Sequence, residues 1–349
     1  MGFQSQVGQI GIKSQTTPDV YDDPGAVAPN QGIFLRHLSG SIQANRELIQ
    51  PDPEIGGNRD TPGAVLGAVS WAGEIEAYSR FEYLPTMLYG LSGPGSASSA
   101  FVGTTQGVDL VGTHTIIPSD SELGLPQMSI EEDIAGLDTF RYFNAVVNSL
   151  SMEVEPNGYM MTTMGLLAPN QEAGITKTAT PEVDTTPLSV GTSTVVTIGG
   201  VASAICVRSW SMEFNNNVED DVFCLGKEGL TDLTPKRRDF SMSMTVRPTD
   251  NTLWREAVYG AAAATTAQSG AAATKDIVVN TKTFATVGTG TAVVFEFDIN
   301  VPVTHIRPFP HEPSGDDVIE WDMEFLAVRP DNTVPLVTFT VVNDIATIR

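Results

Sequence analysis

The 349-residue chain is poor in basic residues, cysteine, histidine and aromatics. It carries 19 Lys and Arg against 42 Asp and Glu, a formal net charge of −23. Holding a nucleic acid by counterion release needs clustered Lys and Arg, so this composition excludes a nucleic-acid-binding domain and repels phosphates. Pro235-Lys236-Arg237-Arg238 is the single basic cluster and reads as a subunit contact or a solvated loop. The two cysteines, Cys206 and Cys224, are too few for a disulfide scaffold and lack Cys-x-x-Cys spacing. Two buried thiols are expected, with one bridge between them as the alternative. The four histidines, His37, His114, His305 and His311, show no zinc-binding spacing. Asp316-Asp317 and Glu219-Asp220-Asp221 lack the spacing of a Ca²⁺ loop. Neither a nucleophile elbow nor a phosphate-binding loop occurs; Thr286 to Gly290 is a turn without the lysine. Aromatics are 7% of the chain, too few to pave a sugar cleft, which leaves a glycosidase as a weak reading. No enzyme, metal or cofactor is expected. No apolar run approaches the roughly 18 residues of a spanning helix, and Met1 to Asn30 lacks the pattern of a signal peptide.

Glycine (32) and proline (22) are plentiful, which favours many turns and short strands. Five stretches alternate with period two, one phase apolar and the other polar. They are Val69 to Tyr78, Ser149 to Glu155, Phe240 to Arg247, Val293 to Val301 and Ile319 to Phe325. Helical pattern is confined to Tyr83–Tyr89 and Thr252–Ala264, punctuated by Gly90 and Gly260. Pro169 to Thr192 is aperiodic and reads as an interdomain loop; Ala261 to Thr274 is a low-complexity stretch at a frayed helix end.

The chain resembles itself. Arg36 to Asn45 reads against Arg208 to Asn217, an offset of 208 − 36 = 172. Leu88-Tyr89-Gly90 matches Val258-Tyr259-Gly260, an offset of 258 − 88 = 170. Glu155-Pro156-Asn157-Gly158 matches Glu312-Pro313-Ser314-Gly315, and Leu167-Ala168 matches Leu326-Ala327. Matches in one order imply a tandem duplication. The expected layout is a first β domain over 1–172, a linker over 173–192 and a second β domain over 193–349. Two unrelated β domains are the alternative.

These residues resemble the tail tube proteins of tailed bacteriophages in duplicated form. The carriers are Phe34 to Asn45, Gly56-Gly57-Asn58-Arg59, Trp71-Ala72-Gly73, Leu84 to Gly90, His114 to Ser119, Leu125 to Glu131 and Tyr142 to Ser149, with a similar opening at Gly8 to Lys13. The resemblance implies a mainly β fold: two tail-tube-like sandwich or barrel domains, each with one short flanking helix. It implies a trimeric, pseudo-hexameric ring, stacked into a hollow tube in the virion tail that passes double-stranded DNA. Expected partners are other copies of the chain, the tape measure protein, the tail terminator and tail tip proteins, with synthesis in the host cytoplasm and no membrane. An acidic bore suits passage, because it repels phosphates. Candidate lumen residues are the wet-phase acids Glu153, Glu155, Glu296, Asp298, Glu320, Asp322 and Glu324, with an outer solvated face as the alternative. Glu131, Glu132 and Asp133 are consecutive, cannot share one strand face, and read as surface or inter-ring contacts. A two-domain binding or head-decoration protein is the competing reading.

Overall fold

A computed structural model describes residues 8–26, 32–52, 55, 63–93, 97–119, 124–202, 206–267, 270, 272–310, 318–346 and 348. The expected turn at Glu312 to Gly315, the Gly56 to Arg59 loop, His311 and Asp316-Asp317 lie outside the described residues.

The protein is mainly β, with 49% of residues in strands and 7% in helices. The first half holds β1 (Gln9–Ser14), β2 (Ile33–Leu35), β3 (His37–Ile49), β4 (Val65–Tyr78), α1 (Leu84–Ser92), β5 (Ala97–Val102), β6 (Val111–Ile116), β7 (Met128–Asp133), β8 (Thr139–Val154), β9 (Met161–Ala168) and β10 (Asn170–Ala173). The second holds β11 (Thr194–Ile198), β12 (Val201–Ala202), β13 (Cys206–Asn215), β14 (Asp239–Arg247), α2 (Thr252–Tyr259), β15 (Thr274–Thr286), β16 (Val294–Ile306), β17 (Trp321–Ala327) and β18 (Thr338–Asn343). Alternation places the apolar phase inward: Phe240, Met242, Met244 and Val246 of β14 are buried, as are Trp321, Met323 and Phe325 of β17. These residues join one core with Ile75, Leu150 and Met164 from the first half.

Pairing runs β1–β7–β8–β9–β4–β3 in the first half and β11–β15–β16–β17–β14–β13 in the second, all antiparallel. Ladder irregularities fall at matching places. β3 skips a residue between His37 and Ser39, and β13 between Val207 and Ser209. Likewise β7 shifts between Met128 and Ile130, and β15 between Lys275 and Ile277. Counted from these irregularities, Ile42 and Met212 hold the same place in their ladders, an offset of 212 − 42 = 170, equal to that of the helix match and two residues short of the 172 of the strand motif.

The helices differ from expectation at their ends. α1 runs through Gly90 and stops at Gly93. A Cβ on Gly90 would meet Val147 at 2.9 Å, so that glycine serves close packing on β8 rather than a cap. α2 ends at Tyr259 because Gly260 turns left-handed at φ 83°, and Ala261 to Ala264 form a turn.

The segment read as a linker packs onto the first half. Asp184, fully buried, accepts hydrogen bonds from the Glu82 and Tyr83 amides at 3.1 and 3.2 Å. It thereby caps α1, whose own N-cap residue offers no side-chain bond. Thr186 accepts the Phe81 amide at 3.0 Å, and the Phe34 amide reaches the Glu182 carbonyl at 2.9 Å. A run of Thr, Pro and acids without periodicity is thus a strap satisfying orphan backbone groups. Cys206 and Cys224 are both exposed free thiols, contrary to expectation; Cys206 opens β13 at its exposed end and Cys224 lies in the β13–β14 loop.

The halves are joined by β8–β13, by β18–β6 and by a buried polar node. His114 of β6 puts Nε2 3.0 Å from Asn343 Oδ1 and 3.2 Å from the Ile345 carbonyl, while Nδ1 accepts from Ser99 at 2.8 Å. Two acceptors at Nε2 require a proton there, and Nδ1 accepting from Ser99 leaves the ring neutral. Burial holds the imidazole below the usual histidine range.

Two outcomes follow from the strap and the node. Asp184→Ala lowers unfolding free energy by about 2 kcal/mol, read by chemical denaturation; a change below about 0.5 kcal/mol would dismiss the cap. Because folded His114 resists the proton that the unfolded chain accepts, its contribution is complete above the ordinary histidine pKa and is lost as pH falls below it. His114→Gln therefore flattens the stability slope between about pH 7 and pH 5, the range in which an unfolded histidine titrates; unchanged slopes would exclude the node.

Candidate functional site

In an antiparallel ladder, opposite residues project from the same face. Glu76 of β4 lies opposite Thr163 of β9, Thr163 opposite Ser151 of β8, Ser151 opposite Glu213 of β13, and Glu213 opposite Ser241 of β14. A parallel row runs Glu153, Ser211, Ser243, Glu324 across β8, β13, β14 and β17. Ser39 and Ser41 of β3 continue the face beside Glu76 and Glu74. One polar face thus crosses seven strands, β3–β4–β9–β8–β13–β14–β17, and both halves. Ser151, Glu153, Thr163, Ser211, Glu213, Ser241 and Ser243 line one shallow groove on it. Hydroxyls separate the carboxylates across strands, which avoids like charges directly opposite one another.

The predicted acids divide. Glu153, Asp322 and Glu324 lie on this face; Asp322 accepts the Thr245 hydroxyl at 2.7 Å and Glu324 meets Arg307 at 3.0 Å. Glu155 sits past the end of β8, in the turn closed by the Gly158 amide. Glu320 precedes β17 and is held by Arg247 at 2.7 Å and Arg208 at 3.7 Å. Glu296 and Asp298 lie elsewhere, on the part of β16 paired with β15 and β18. Asn280 Nδ2 donates to both, Lys282 pairs with Glu296 at 3.1 Å, and burial pushes the Asp298 carboxyl up. Glu74, Glu76 and Glu213 belong to the face although sequence reasoning did not select them as lumen residues. Their signal was available in the alternation with Ile75, Ala77, Met212 and Phe214.

The acidic triplet on β7 overturns its reading as surface. Glu131, Glu132 and Asp133 are only 2%, 3% and 3% exposed. β7 is covered on both faces. Glu131 takes the Gln9 amide at 2.9 Å and the Thr178 amide and hydroxyl at 2.9 and 2.6 Å. Asp133 takes Lys177 at 2.5 Å and Thr139 at 3.0 Å. Glu132 points the other way, and burial pushes its carboxyl above the usual range. Within the basic cluster, Lys236 pairs with Glu219 at 3.2 Å and Arg238 donates to the Ser119 carbonyl at 2.7 Å, while Arg237, 3.7 Å from Asp239, stays exposed.

The sequence model of the phage tail tube protein family matches residues 5–327. The chain belongs to that family. No curated protein matches the chain. A tail tube protein is a structural component of the virion tail that builds a tube from copies of itself. Among the described residues, no helix is long and apolar enough to cross a membrane. For a tail tube protein, the face that crosses both halves without a break is the candidate wall.

Proposed function

We propose that three copies close into a pseudo-hexameric ring whose bore is lined by the hydroxyl and carboxylate face, and that stacked rings conduct the viral DNA. The continuity of that face across both halves carries the reading. Two halves with one pairing order and matching ladder irregularities support a tandem duplication, with domains over 1–172 and 193–349 and the strap between them. The β13–β8 seam inside the chain serves as the template for the seam between copies. β3, the counterpart of β13, pairs on one side with β4 and among the described residues has no strand on the other. Its outer row of backbone groups is where the second half of a neighbouring copy pairs, closing the sheet into a barrel without free edges.

Carboxylates on the bore repel phosphates, and intervening hydroxyls hold a water layer, so the duplex slides without adhering. Arg307 on Glu324, and Arg208 and Arg247 on Glu320, are arginines paired with carboxylates. The tape measure protein during assembly, and terminator and tip proteins at the tube ends, are the partners this role requires. No catalytic step is assigned.

Purified protein, nucleated or concentrated, gives rings and hollow tubes in negative stain; monomers or irregular small oligomers under all conditions would sink the ring. Glu153→Lys with Glu213→Lys leaves tubes intact but makes them retain double-stranded DNA at low salt, with retention lost as salt rises. Intact variant tubes that release DNA as freely as wild type would place these acids outside the bore.

A further inference from the structure

Among the described residues no strand lies on the β3 edge away from β4, and that edge is occupied near its midpoint by the chain's own side chains. Ile42 lies opposite Gly73 of β4. Its amide donates to Glu132 Oε1 at 3.2 Å, and its carbonyl accepts the Tyr142 hydroxyl at 3.2 Å. In an antiparallel ladder both backbone groups of a residue point to the same side, so these two point away from β4. The Tyr142 hydroxyl has one hydrogen, shared between the Ile42 carbonyl and Glu132 Oε2 at 3.0 Å, and its oxygen receives the Gln171 amide at 3.1 Å. Both plugging side chains are buried, one from β7 and one from β8. Both groups that the carboxylate touches are neutral.

The second half shows what the same place looks like when a strand fills it. Met212, the counterpart of Ile42, lies opposite Met242 on one side and opposite Met152 of β8 on the other. Registers identify the counterparts of the plug. Ile130 pairs with Tyr142 as Ile277 pairs with Val301, and Glu132 pairs with Phe140 as Val279 pairs with Ile299. Tyr142 and Glu132 therefore correspond to Val301 and Val279, both buried in the core. The carboxylate and phenol occur in the half whose edge lacks a strand; valines stand in the half whose edge is paired.

We propose that Glu132 and Tyr142 guard the β3 edge of the free subunit, mimicking a strand at Ile42, and are displaced when a second copy pairs there. This rests on the ring-closing reading above. An unguarded thirteen-residue edge invites premature or out-of-register pairing in the cytoplasm, where copies accumulate. The guard raises the barrier to the first contact, while a growing tube end, which offers a complete strand ladder, overcomes it. Leaving a carboxylate buried among neutral groups costs stability that Val279 does not cost, the pattern of a functional residue rather than a packing one.

The test uses the full chain. Glu132→Val with Tyr142→Val gives the first half the residues of the second, and association is followed by light scattering and by mass after size exclusion. The double variant associates about tenfold faster than wild type, the factor that about 1.4 kcal/mol of lost edge protection produces. In monomeric wild type the Ile42 amide exchanges slowly for an edge strand, and in Glu132→Val it exchanges about tenfold faster. A folded double variant with wild-type association and exchange overturns the guard, and leaves the ring standing if wild type still forms rings. If the double variant does not fold, Tyr142→Phe decides by the same two readings. Failure of both wild type and folded variants to form rings overturns the ring and the guard together.

Discussion

A β-ladder ends in a row of unpaired N–H and C=O groups, and much of this protein is organised by where those rows go. Inside the chain, β13 gives its row to β8, and that seam carries the polar face from one half into the other without a break. β18 gives its row to β6, so the last strand of the second half is zipped to a hairpin of the first. Among the described residues, the segment between α2 and β15 holds no strands like the β5–β6 hairpin that follows α1. Among the described residues, the outer row of β3 carries no strand, and an open row of this kind is what strand pairing between molecules uses.

Buried carboxylates manage the same backbone constraint at closer range. Asp184 satisfies the start of α1, Glu131 holds the amide of Thr178, and Glu132 answers the amide of Ile42. Each is a side chain standing in for a missing backbone partner. The −23 charge is therefore not all surface: part is spent internally on orphan donors, part on the hydroxyl-spaced face. Three consecutive acids on β7 can be buried together because N-terminal strand, strap and β3 cover that strand on both sides.

Much of the fold was legible. Alternation identified the central strands, since a half-buried sheet must repeat every two residues, and β14 and β17 bury the phase it predicted. The Tyr-Gly pair in each half marked a helix, although Gly90 proved to be a packing glycine within α1 while Gly260 ends α2. What misled was local composition read without neighbours. Pro169 to Thr192 looks like a linker because its hydrogen bonds are made to distant residues. Glu131 to Asp133 look like surface because charge suggests water until partners are known. Glu296 and Asp298 have the same alternation as Glu153, yet they sit on another part of the sheet network.

Period, turn chemistry and charge balance lie within short windows of chain, and from them the sequence alone determined a mainly β, acidic protein whose halves echo one another and resemble a tail tube. Which strand borders which is set by contacts more than a hundred residues apart in sequence, and no local pattern encodes them. The tertiary structure decided that the two polar phases merge into one face, that the connecting segment is a strap, and that a glutamate and a tyrosine occupy the one edge position where the other half has a strand.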